Sequence, residues 1–235
     1  TAGSVKIDGS NLGSALAGSL AATQLSANTT SGFSIVQYTG TGATATVAHG
    51  LSVAPELIIV KCKDSGEGWN VYAEPVSAAP ATDYLMWNTS SEVKDDDRFW
   101  NDTLPSASVF TLGSYDGTNK STDLFTAFCF HSVPGFSSIG SYTGNGNADG
   151  PFIYTGMKSA FFLYKRIDVA ANWRIVDSVT NPYNVVSKFL SVDTTDAEGD
   201  DAQVDFDSNG VKIRDTINPI NVSGGSYLFY AVAES

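Results

Sequence analysis

The sequence predicts an all-β protein built as two tandem β-sandwich or jelly-roll-like domains of about 100 residues each behind an N-terminal arm. Three observations carry this. First, the chain repeats itself: Tyr38-Thr39-Gly40-Thr41-Gly42 returns 104 positions later as Tyr142-Thr143-Gly144-Asn145-Gly146. At the same spacing Leu57–Lys61 matches Phe161–Lys165, Asp64 matches Asp168, Trp69 matches Trp173, and Leu124–Ala127 matches Leu228–Ala231. A single offset at both ends of a unit is the mark of a duplicated domain. Second, the apolar residues fall in short strand-length runs punctuated by Gly, Pro, Asn and Asp. Third, only 16% of residues are charged, against roughly 25% in soluble chains generally, while 22 glycines supply turns.

Residues 1–32 differ from the rest, being Ala-, Gly- and Ser-rich with Lys6 and Asp8 as their charges. Leu12, Leu16 and Leu20 recur every fourth residue, the spacing of a short helical stripe, which needs neighbours to persist in water. The segment is therefore expected to be an assembly or docking arm.

From Phe33 the period changes to that of strands. The first domain is expected over residues 33–132, with strands at 33–38, 44–48, 57–63, 69–72, 84–87, 109–112 and 124–130. Asp64-Ser65-Gly66-Glu67-Gly68 reads as a hairpin loop, and Val133-Pro134-Gly135 as the hinge between domains. The second domain is expected over 136–235, with strands at 139–142, 152–154, 161–167, 173–177, 185–192, 203–206, 211–214 and 226–233.

The shared positions are turn glycines, apolar residues and one Trp, a scaffold set with little chemistry in it. Gly40-Thr41-Gly42 and Gly144-Asn145-Gly146 lack the G-x-G-x-x-G frame of a dinucleotide site, and there is no G-x-S-x-G elbow. His49 and His131 stand in no metal-ligand spacing and are expected as solvent-facing or turn residues. Cys62 and Cys129 align with Arg166 and Ala233 in the second copy, so two buried free thiols are expected, which suits folding in a reducing cytoplasm. A net charge of −12 disfavours nucleic acid and anionic lipid, and no apolar run is long enough to insert in a membrane.

Two regions hold candidate sites. The stretch 87–105 places Trp87, Phe99 and Trp100 beside Asp97 and other acids and amides, the composition of a sugar-binding surface; packing under the loop is the plainer alternative. Asp193, Asp196, Asp200 and Asp201 crowd one stretch of copy two, where oxygen-rich loops can hold Ca2+, although the EF-hand order is missing. No other cofactor is expected, and no catalytic residue is assigned.

Copy two, through Phe161–Arg166, Trp173–Ser178, Val204–Ile213, Ser223-Gly224 and Tyr227–Glu234, resembles a domain of unknown function common in tail-fibre-like and other structural proteins of bacteriophages, marine phages especially. The resemblance covers about 100 residues of copy two, copy one more loosely, and Asp8-Gly9-Ser10-Asn11-Leu12 is similar to fibre stalk sequence. It implies a virion surface protein, a homotrimer, with no catalytic residue to carry over. The expectation taken with the residue pattern is a non-enzymatic fibre or appendage subunit whose residues 1–32 trimerise or dock to other virion proteins and whose β domains contact host glycans. The alternatives are a capsid decoration or head-fibre subunit and, with less support, a polysaccharide depolymerase.

Overall fold

A computed structural model describes residues 5–12 and 16–234. The chain is mostly β, and its three α-helices among the described residues have four residues each. It divides into two compact units: residues 1–86 with 94–131, and residues 87–93 with 132–235.

Unit 1 contains β1 (Val5–Ile7), β2 (Ser10–Asn11), β3 (Gln24–Asn28), β4 (Phe33–Thr39), β5 (Ala45–Ala48), β6 (Leu57–Cys62), β7 (Trp69–Ala73), β8 (Asp83–Met86), β9 (Lys94–Asp95), β10 (Val109–Leu112) and β11 (Leu124–Phe130). Between them lie α1 (Asp97–Trp100) and α2 (Asp116–Asn119). Nine strands form one sheet in the order β2-β1-β3-β4-β11-β6-β7-β8-β9, and β10 pairs with β5 separately. The last strand is the central one: Phe125 lies opposite Tyr38 on one side and Cys62 on the other. Alternation along β11 explains its sequence, since Phe125, Ala127 and Cys129 are fully buried while Leu124, Thr126, Phe128 and Phe130 are half-buried. The buried set joins Val36, Tyr38, Ile58 and Val60 from the large sheet with Val47, Phe110 and Leu112 from the β10–β5 pair in one core.

Unit 2 contains β12 (Ser137–Thr143), β13 (Phe152–Tyr154), β14 (Ser159–Arg166), β15 (Arg174–Asp177), β16 (Val186–Ser191), β17 (Gly199–Asp207), β18 (Gly210–Ile213) and β19 (Ser226–Ala233), with α3 (Asn218–Asn221) before the last strand. Its sheet order is β12-β19-β14-β15-β16-β17-β18-β13. The run β4-β11-β6-β7-β8-β9 of unit 1 thus recurs as β12-β19-β14-β15-β16-β17, and the pair β10–β5 recurs as β18–β13. The duplication read from the sequence is a duplication of topology.

The N-terminal segment is corrected. It is neither helical nor a separate arm among the described residues. β3 lies antiparallel on β4, β1 lies parallel on β3, and Asp8 and Gly9 turn the chain from β1 into β2. Leu20 bridges to Val47, its N–H donating to the Thr46 carbonyl, and Leu16 and Leu20 pack on the core of their own unit while Leu12 is exposed. Residues 13–15 lie outside the described residues. Glycine and serine are poor helix formers, and the bare edge of β4 offers this segment a full row of backbone partners.

The stretch 87–105 is also divided. Residues 94–105 belong to unit 1, but 87–93 packs into unit 2, although strands of unit 1 precede and follow it in the chain.

Candidate functional site

The repeated Tyr-Thr-Gly-x-Gly motif is a structural clamp. In unit 1 the Tyr38 hydroxyl donates to the Thr118 carbonyl at 2.7 Å, and the Asn119 amide donates to the carbonyls of Ala43 (2.6 Å) and Gly113 (2.8 Å). The Asn119 side-chain oxygen accepts from Thr41 N–H at 2.9 Å, and its carbonyl accepts from Gly42 N–H. Unit 2 repeats this: Tyr142 donates to the Ile220 carbonyl, and Asn221 holds Asn145 N–H, Gly146 N–H and the carbonyls of Asn147 and Asp215. A Cβ at Gly40 would lie 2.2 Å from the Lys120 carbonyl, and one at Gly144 2.3 Å from that of Val222, so both positions require glycine. The motif closes the loop onto the short helix.

The aromatic residues expected at a sugar surface separate. Phe99 and Trp100 are buried in the core of unit 1, Phe99 stacking on Tyr84 at 3.7 Å and on Tyr115 at 4.1 Å. That is the packing alternative, and it follows from α1 having one buried face. Asp97 is exposed at the start of α1, where its neighbour Asp96 caps the helix through Arg98 N–H. Trp87 is half-buried in unit 2, 5.0 Å from Trp173.

The acidic stretch of copy two is divided, Asp193 and Asp196 lying in the loop between β16 and β17. Asp200 and Asp201 lie on β17, whose alternation sends successive side chains to opposite faces. Lys188 pairs with Asp200 at 2.9 Å and with Glu198 at 3.4 Å, while Asp196 is exposed. Asp193 is half-buried, and desolvation raises its pKa above the usual carboxylate range. Among the described residues no three His, Cys, Asp or Glu side chains converge as a metal would require.

His49 is corrected from the solvent-facing expectation. It is fully buried, its Nε2 lies 3.1 Å from the Ser106 carbonyl, and Leu51 N–H donates to its Nδ1. Desolvation lowers its pKa, so the neutral ring holds the turn together. His131 is buried too. Cys62 and Cys129 are free, buried thiols.

Lys61 and Lys165 are equivalent and both hold loops. Lys61 Nζ donates to the carbonyls of Glu67 (2.7 Å) and Ser65 (3.3 Å). Lys165 is fully buried and donates to the carbonyls of Arg166 (2.7 Å) and Ser90 (3.3 Å), the latter within the segment taken from between strands of unit 1. Burial pulls its pKa down to about 8. The same segment donates from Val93 N–H to the Ile167 carbonyl and accepts from Ala171 N–H at Ser90.

One open cleft, of about 240 Å3, lies in unit 2 among Lys158, Ser178, Asn181, Tyr183, Phe206 and Glu234. Tyr183 is 81% exposed. Lys158 and Glu234 form an ion pair at 2.5 Å across the strand ends. Asn181 spends its side-chain oxygen on Ser187 N–H, and Asn184 is consumed by both main-chain groups of Phe206. These bonds hold the 181–187 wall, leaving Tyr183, Ser178, Lys158 and Glu234 for a ligand. No sequence motif marks this cleft; Tyr183 and Asn184 lie between Asp177 and β16 without a pattern.

A family model, described as a domain of unknown function, DUF7483, matches residues 8–235. The chain belongs to this family. The match spans both repeats together with β2 and β3. No curated protein and no solved structure matches the chain. No described helix is long and apolar enough to cross a membrane.

Proposed function

We propose that this protein is a non-catalytic bacteriophage virion component, a fibre or surface-appendage subunit, whose second unit binds a host-surface glycan. Each unit is read as a sandwich of jelly-roll kind, the large sheet covered by the β5–β10 or β13–β18 strands. The observation that carries the binding function is the cleft of unit 2: an exposed tyrosine ring beside a hydroxyl, a carboxylate and an ammonium, on a wall fixed by internal hydrogen bonds. An aromatic face takes the C–H face of a pyranose, and the paired charges accept from and donate to its hydroxyls. Preorganisation keeps the ordering cost of binding low. The virion role rests on the resemblance to phage structural proteins and on a scaffold whose repeated motif closes loops. The strongly acidic surface supports a partner other than nucleic acid.

The test is binding to a panel of neutral and acidic oligosaccharides, with Tyr183→Ala and Glu234→Gln as variants. Binding by the natural chain that drops at least tenfold in Tyr183→Ala supports the reading. Binding unaffected by either variant, or none across the panel, overturns the glycan assignment.

A further inference from the structure

The duplication exposes a difference between the two units. In unit 1 the outer edge of β4 is covered by β3, with Leu25 opposite Val36, Ser26 opposite Ile35 and Ala27 opposite Ser34. The equivalent strand of unit 2, β12, pairs with β19 on its inner side and ends the sheet on the other. The residues that would cover it by the 104-residue repeat are 128–132, and most of these are already used as the end of β11. Among the described residues the chain reaches the β12 edge only at its start: Ile139 N–H donates to the Ser132 hydroxyl, and Val133 and Ser137 bridge.

The direction of the remaining groups follows from the ladder. Phe136 accepts from Ala233 N–H and Gly144 N–H donates to Gly225, so even-numbered residues face β19 and odd-numbered ones face outwards. Beyond Ile139, Ser141 and Thr143 therefore turn their N–H and C=O groups away from the sheet, and both are exposed. The other ends of the two large sheets are blunt: β2 and β9 have two residues each, β9 being Lys94–Asp95, and β13 has three. β12 has seven residues with no charge and no proline. Long, uncharged, unprotected edges are templates for strand addition.

We propose that the outer edge of β12 pairs, antiparallel, with the same edge of a second copy of this chain. A two-fold axis through Ser141 pairs Ser141 with its own copy and turns each Thr143 N–H toward the Ile139 carbonyl of the other copy, Ile139 N–H staying on Ser132, so the edge is self-complementary. Self-pairing here opposes no like charges, whereas much of a surface on a chain of net charge −12 would. The pairing supplies to unit 2 the backbone partners that β3 supplies to unit 1.

The experiment is sedimentation velocity of the full chain over a range of concentrations, with hydrogen exchange of the Ser141 and Thr143 amides followed in parallel. The expected result is a concentration-dependent dimer in which those two amides gain protection. Ser141→Lys, and Ser141→Pro at an outward N–H that an edge strand tolerates, both give monomers. A monomer at every concentration overturns the proposal. So does any oligomer, dimer or trimer, in which the two amides exchange freely; that readout needs no variant to fold.

Discussion

Asn119 and Asn221 stand 102 positions apart and hold the same bonds: each side-chain oxygen accepts from the residue after the first glycine of the repeated motif, Thr41 or Asn145, and each carbonyl accepts from the second glycine. Both residues are fully buried, so their amides have no water to fall back on. Removing either orphans several backbone groups at once. Asn119→Ala and Asn221→Ala are each expected to cost about 3 kcal/mol, since an unpaired buried group costs roughly 1–3 kcal/mol. Chemical denaturation followed by fluorescence measures it; a loss below about 1 kcal/mol in both would show the clamp to be dispensable.

Trp87 belongs to unit 2 in space though strands of unit 1 flank it in sequence. Trp87→Ala removes its ring from Trp173 and is expected to cost about 2–3 kcal/mol, below the roughly 3–5 kcal/mol of a fully buried aromatic because Trp87 is only half-buried. Hydrogen exchange should quicken in β14 and β15 and stay unchanged in β6 and β11. The reverse pattern would assign the segment to the wrong unit.

Lys165 gives unit 2 a pH dependence of defined sign. Its folded pKa is drawn down to about 8 by burial from an ordinary value of 10.5. Above pH 8 the folded chain sheds this proton while the unfolded chain keeps it, so stability attributable to Lys165 rises between about pH 8 and 10. Higher still, the unfolded chain ionises Tyr38 and Tyr142, whose folded pKa values burial lifts well above 10.0, and stability falls. The difference in unfolding free energy between the natural chain and Lys165→Met should therefore grow in the natural chain's favour from pH 8 to 10. A difference independent of pH would contradict the buried, proton-losing lysine.

The two thiols should be silent in the native protein. Both are buried, and burial pushes the Cys129 thiol up to about 12, far from the thiolate that reacts. A disulfide-exchange reagent at pH 8 should titrate neither until the chain unfolds, and then both. Rapid native labelling of either would mean that β6 or β11 opens readily.

Much of the β framework was legible because period-2 patterns and the 104-residue offset are local or self-referential signals: Phe33–Thr39, Leu57–Cys62, Val109–Leu112 and Leu124–Phe130 lie where the alternation puts them. Leu12, Leu16 and Leu20 imitate a helical stripe by their spacing, whereas Leu16 and Leu20 pack on the core of unit 1 and Leu20 bridges to Val47, partners that are visible only once the sheet exists. Asp200 and Asp201 look like loop residues in composition, yet the start of β17 pairs with β16, Asp200 lying opposite Lys188, and holds them extended. Phe99 and Trp100 offered rings of the right type, but side-chain composition does not reveal which face of a four-residue helix turns inward. The cleft around Tyr183 is not legible in the sequence because its walls converge from Lys158 before β14, the loop between β15 and β16, β17 and Glu234.

The most direct measurement is a nitrogen–proton NMR titration of the isotopically labelled full chain with the oligosaccharide panel. The expected result is saturable shifts at Lys158, Ser178, Asn181, Tyr183, Asn184, Val186, Phe206 and Glu234, with the equivalent surface of unit 1 silent. Shifts centred on Asp97 or elsewhere in unit 1, or no saturable shift from any sugar, would contradict it.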